Sequence, residues 1–273
     1  MTRGRLTVLV GIAVMGIVAA LLLRRSQPED GGALVEVEPL ALSASACVSA
    51  EPPALDRDLE LAVFRGEGVS DQEVEQQLGQ AAGFFADYRV RLQRRASVPL
   101  GRATLMEGSP EAIDEALREA GIEPRRAPPP ERLDEARRIT CDVALGPLRA
   151  FLKAQPREGD RILVVVLRRI AEPGSPLAAM LPDLRGLTLT PKAMSESLGR
   201  CLGVEGPFAP TVLLGLDAIT ARRPGTLDVT LAHELGHVLG LLHEREAGDL
   251  MAVEPPKCLP RLSEAQLARL KGE

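Results

Sequence analysis

All three histidines of this 273-residue chain fall in one stretch, HELGHVLGLLH, from His233 to His243. If the histidines are to meet, that stretch dictates its own local structure. His233 and His237 are four apart, so on a helix their imidazoles share one face, a turn apart. A third histidine carried on by the same helix would rotate away from that face. Gly240 falls three residues after His237, where a left-handed residue can end the helix. The chain then turns and brings His243 toward the first two. Three neutral imidazoles suit one zinc ion and leave its fourth tetrahedral position open, as in a catalytic rather than a closed structural site. Glu234 lies on the flank of the same face, placed to take a proton from water without being a ligand.

The rest of the chain supplies a scaffold for such a helix. LELAVF, from Leu59, reads as a strand, and DQEVEQQLGQAAGFFADY as a helix with Val74, Leu78, Ala81, Ala82 and Phe85 on one face. YRVRLQ alternates like a strand. SPEAIDEALREAG opens with a Ser cap and a proline in the first turn and closes on Gly121. ERLDEARRITCDVALGPLRAFLKA continues as helix, with a break expected at Gly146-Pro147. Arg161–Leu167, RILVVVL, is the best central strand. GLTLT and TVLLGL are shorter strands. TLDVTLAHELGHVLG is the helix of the histidines, with Thr226 as its expected cap. LSEAQLARLKG is a last short helix, capped by Ser263. This alternation predicts an α/β fold (α+β by some definitions) with a mostly parallel mixed sheet.

HELGHVLGLLH matches the metzincin motif HExxHxxGxxH at every fixed position. GDLM then places Met251 eight residues after His243, and LSEAQLARLKG is similar to a metzincin C-terminal helix. The spacing most resembles matrix metalloproteases. The resemblance implies a zincin-like fold with an active-site helix and a small C-terminal subdomain. It also implies a zinc endopeptidase with one catalytic Zn2+. His233, His237 and His243 would be its ligands, Glu234 the general base on a zinc-activated water, and Met251 the floor of a Met-turn. An edge strand pairs with extended substrate in that family; GLTLT and TVLLGL both qualify. The specific match covers about Thr230 to Met251. No histidine remains for a second, structural zinc, no calcium loop is evident, and Glu244 is shared with astacins without the rest of their signature, so no subfamily is assigned. Arg245, Glu246 and Asp249 are expected in a solvated loop. Two other functions fit the same residues: a zinc-containing peptide-binding module without catalysis, and a zinc hydrolase of a nonpeptide amide.

At the other end of the chain, Leu6–Leu23 is an uncharged apolar run of membrane-spanning length, flanked by arginines. An uncleaved signal anchor over residues 1–25 is favoured, with a cleaved signal peptide as the alternative. Residues 26–57, rich in Pro, Ser, Ala and acids, read as a stalk. The catalytic domain is expected over 58–273, with a helical insertion at about 108–156. Cys47, Cys141, Cys201 and Cys258 are widely spaced, without a C-x-x-C pair, and behind an export signal they are candidate disulfide cysteines. For Cys201 a disulfide is favoured over a latency switch, with Cys258 as a candidate partner. The expected location is therefore outside the cytoplasm, membrane-anchored, or secreted or periplasmic if the signal is cleaved. A net charge of −5 and an aromatic content of 2% argue against nucleic acid as a partner. The expected partner is a peptide or protein substrate.

Overall fold

The computed structural model describes residues 33–42, 45–47, 52–124, 126–155, 160–175, 178, 184–191, 201–203, 208–221, 226–245, 248–252, 254 and 256–271. The apolar run at 6–23 lies outside them. Among the described residues no helix is long and apolar enough to cross a membrane.

β5 (Ile162–Leu167) is buried along its whole length, as a β-branched run flanked on both sides should be. It pairs in parallel with β2 (Arg57–Arg65) on one side and with β7 (Thr211–Gly215) on the other. β3 (Val90–Arg94) follows β2 through the helix α1 (Asp71–Ala86) and pairs with it in parallel. The short β4 (Val98–Pro99) also pairs with β2. β1 (Val35–Glu36) closes the β3 edge antiparallel, and β6 (Gly186–Leu189) closes the β7 edge antiparallel. Among the described residues the sheet thus has seven strands, in the order β1-β3-β2-β5-β7-β6 with β4 off this path. The fold is α/β with a mostly parallel mixed sheet. Among the described residues TVLLGL is internal and GLTLT lies at the edge of the sheet.

The two faces of the sheet follow the pleat. Leu61, Val63, Val164, Val166, Val212 and Leu214 face α1 and the histidine helix α5 (Thr230–Val238). Ala62, Phe64, Leu163, Val165, Leu167 and Leu213 face α3 (Leu133–Ala154). The stretch at about 108–156 therefore supplies the second helical layer. Its first helix, α2 (Pro110–Glu119), is capped by Ser109 and packs on α3 through Ile113 and Leu117.

Two expectations about helix boundaries are corrected. α3 runs without a break through Gly146-Pro147. Pro147 forfeits one backbone bond, but Leu145, Leu148, Phe151 and Leu152 are buried on the sheet from the same helix, and Phe151 meets Phe64 edge-on. That burial outweighs a proline cost of about 3 kcal/mol. α5 starts at Thr230 with Val229 in the cap position, so Thr226 is not its cap; Asp228 Oδ1 accepts from the Thr230 N–H. The Leu227 N–H donates to Pro256 O, which holds this stretch extended against the C-terminal loop. α4 (Leu216–Thr220) follows β7, and α6 (Glu264–Lys271) ends the domain with Ser263 and Gln266 bonded reciprocally at its start.

Part of the segment read as a stalk packs on the domain. Val37 N–H donates to Leu92 O and Leu40 N–H to Gly79 O. Ser45–Cys47 lies beside Leu259, and Cys47 is bonded to Cys258. The second disulfide joins Cys141 to Cys201, so the suggested Cys201–Cys258 pairing is replaced. Cys141 on α3 is the nearer partner, and Cys258 is already taken. Two disulfides mark a protein of an oxidising compartment outside the cytoplasm.

Candidate metal centre

Helix α5 carries His233, Glu234 and His237, and it ends as the sequence requires. Gly240 has φ +90°. Its N–H donates to His237 O, and the N–H of Leu241 reaches back to Gly236 O. This pair of bonds is the Schellman closure of a helix. Leu241 is buried beneath the turn, and His243 emerges two residues later on the same side as the first two histidines.

Two of the imidazoles are fixed from behind. His233 Nδ1 donates to Leu250 O at 2.8 Å and His237 Nδ1 to Leu241 O at 2.9 Å. A ring that donates through Nδ1 presents Nε2 as a free lone pair. Burial pulls the His233 imidazole down to about 4, against the raising effect of the Leu250 carbonyl. Burial lowers His237 as well. Both rings are neutral at pH 7, the form that binds a metal.

Two nitrogens bound at about 2.0–2.1 Å to one tetrahedral ion lie roughly 3.3 Å apart. His237 Nε2 and His243 Nε2 are 3.1 Å apart. One ligand nitrogen from each of His233, His237 and His243 lies within 4.8 Å of the others. The three residues fit a single metal ion.

Glu234 is the buried carboxylate of this centre, only 7% exposed. Burial pushes its carboxyl up to about 7, opposed by the hydrogen bond from Thr188. Met251 is fully buried below α5, and Gly236 leaves the space for its sulfur. The turn that carries Met251 is shaped by Asp249, whose Oδ1 accepts from Met251 N at 2.6 Å and from Gln266 Nε2 at 3.0 Å. Asp249 is therefore buried and structural, not part of a solvated loop. Its place two residues before Met251 is the spacing of an Asx turn, a signal the sequence does carry. Arg245 is exposed as expected, and Glu246 lies outside the described residues. Thr188 and Gly186, the β6 residues against Glu234, carry no recognisable motif.

No family model and no curated protein matches this chain. Among solved structures it is similar to metalloproteinase-II from Bacteroides fragilis, at 13% identity and a TM-score of 0.40. The match covers 91% of this chain and 60% of that one, so the chain spans less than two thirds of that protein's length.

Proposed function

We propose that the chain is a zinc-dependent endopeptidase acting outside the cytoplasm. The observation that carries this reading is the convergence of three histidine nitrogens beside a buried glutamate on one helix. His233, His237 and His243 would hold the ion, and the helix-ending turn at Gly240 is what lets the third take part. When bound, zinc supplies a Lewis acid that polarises the scissile carbonyl and makes water a nucleophile near neutral pH. Glu234 takes the proton from the attacking water and returns it to the leaving amine. Met251 and the turn around it form the apolar floor that keeps the histidines in place. β6, at the edge of the sheet among the described residues, runs beside Glu234 and would offer main-chain groups to an extended peptide. Attachment to a membrane through residues 6–23 belongs to the same proposal; a mature N-terminus beyond Leu23 would remove it.

The test measures zinc per chain and then cleavage of a mixed peptide library by wild type and Glu234→Ala. One zinc per chain is expected, with chelator-sensitive cleavage that the variant lacks. Zinc retention with peptide binding and equal inactivity in both proteins would replace the protease by a non-cutting peptide-binding module. Turnover of nonpeptide amides alone would make it a different hydrolase.

A further inference from the structure

Strand β6 meets the centre with one face. Leu187 and Leu189 pack with the cluster under α3. By the two-residue pleat, Gly186 and Thr188 face the other way, toward α5. Both touch Glu234. Thr188 Oγ1 lies 2.6 Å from Glu234 Oε2 and 3.0 Å from Glu234 O. A hydroxyl has one hydrogen, and the shorter contact takes it. At Gly186 a Cβ would overlap the Glu234 carboxylate. Among the described residues, Thr188 is the side chain that hydrogen-bonds this carboxylate.

We infer that Thr188 is a positioning residue: its hydroxyl, fixed on the sheet edge, holds the Glu234 carboxylate in one rotamer beside the histidines, in the space that Gly186 leaves open. The inference rests on Glu234 acting as the general base. A glutamate has three rotatable bonds, and a base must be held to within fractions of an ångström of its proton donor. Helix α5 fixes only the Cα of Glu234, whereas β6 fixes the far end. A buried carboxylate also needs a donor to offset its desolvation, and among the described residues Thr188 supplies it.

The test uses the full chain loaded with zinc, with three readouts. Thr188→Val keeps the shape and removes the hydroxyl. It is expected to lower kcat roughly 10–100-fold, the worth of one hydrogen bond to a charged group, with KM and zinc per chain unchanged. Thr188→Ser restores the hydroxyl and is expected to recover most of kcat. In metal-free protein, Thr188→Val lowers the unfolding midpoint by about 2–4 °C when Glu234 is present and by clearly less in the Glu234→Ala background, where the hydroxyl keeps only the main-chain oxygen of residue 234 as acceptor. An unchanged kcat in Thr188→Val, a Thr188→Ser variant as slow as Thr188→Val, or strictly additive midpoints would each overturn the inference. If Thr188→Val does not fold, Thr188→Ser against Thr188→Ala in the same cycle decides it. A wild type without Glu234-dependent cleavage would remove the protease reading, while the metal-free cycle would still report on the Thr188–Glu234 contact.

Discussion

Gly236 occupies one of the variable positions of the histidine stretch, yet it has little freedom. A Cβ there would lie 2.5 Å from the Met251 sulfur and 3.3 Å from its methyl. In an exposed helix, Gly→Ala stabilises by up to about 1 kcal/mol. Here the new methyl enters a filled space, and overpacking costs about 1–3 kcal/mol. Gly236→Ala is therefore expected to lower the thermal midpoint by a few degrees. Calorimetry of the double variant checks the cause: Met251→Ala should cost less in the Gly236→Ala background than in wild type. The contrast between this residue and its neighbours shows what a sequence carries at this scale. The spacing of His233, Glu234, His237, Gly240 and His243 is local, and helix geometry translates it directly into proximity. Gly236 and Thr188 owe their roles to partners on other elements, 46 residues away for the Thr188–Glu234 contact. No local period records such a pairing.

Helix α1 is held to the sheet by its first turn. Ser70 and Glu73 form a capping box, and Glu73 also receives Arg168, which follows β5. The hydrogen bond from Arg168, aided by those from Ser70, keeps the Glu73 carboxyl at about 2 instead of 4.5. A depressed carboxylate pKa adds stability above its unfolded value, and that stability is lost as pH falls through the folded value. Arg168→Ala should thus be less stable than wild type above about pH 5, with the gap closing between pH 4.5 and 2. Denaturant midpoints across that range read it directly. Further along the same helix, Gly79 and Gly83 accommodate the segment around Leu40, whose carbonyl occupies the place of a Gly83 Cβ. Gly83→Ala should release this segment. Limited proteolysis within residues 37–42 is expected to quicken roughly tenfold, the effect of about 1.4 kcal/mol on a local opening. Periodicity made the elements themselves readable: α1, α2, α6 and β5 lie where their patterns put them. The boundary at Thr226 and the continuity through Pro147 were not readable, because tertiary contacts at Pro256 and on the sheet decide them.

Two covalent links frame the molecule. Cys47–Cys258 closes a span of 211 residues and Cys141–Cys201 one of 60. Replacing Cys47 and Cys258 by serine should cost about 2–5 kcal/mol, read as a lower denaturant midpoint at a similar slope. Zinc should also leave the variant faster, since the link braces the floor of the site. The bracing runs through backbone bonds. Cys47 N–H donates to Leu259 O, Arg261 N–H to Gly248 O, and Leu250 N–H back to Arg261 O, one residue before Met251. The pairing of four cysteines is a property of the whole fold, and their spacing left three connectivities open. The same ladder sets an order in time. During synthesis the helix of the histidines leaves the ribosome before residues 258–261, and Ser45–Cys47 can dock only once those have followed. The last step, joining Cys47 to Cys258, waits for an oxidising compartment. A chain in a reducing compartment has its three histidines but not the covalent brace behind Met251, so completion of the candidate site is tied to oxidation of the chain.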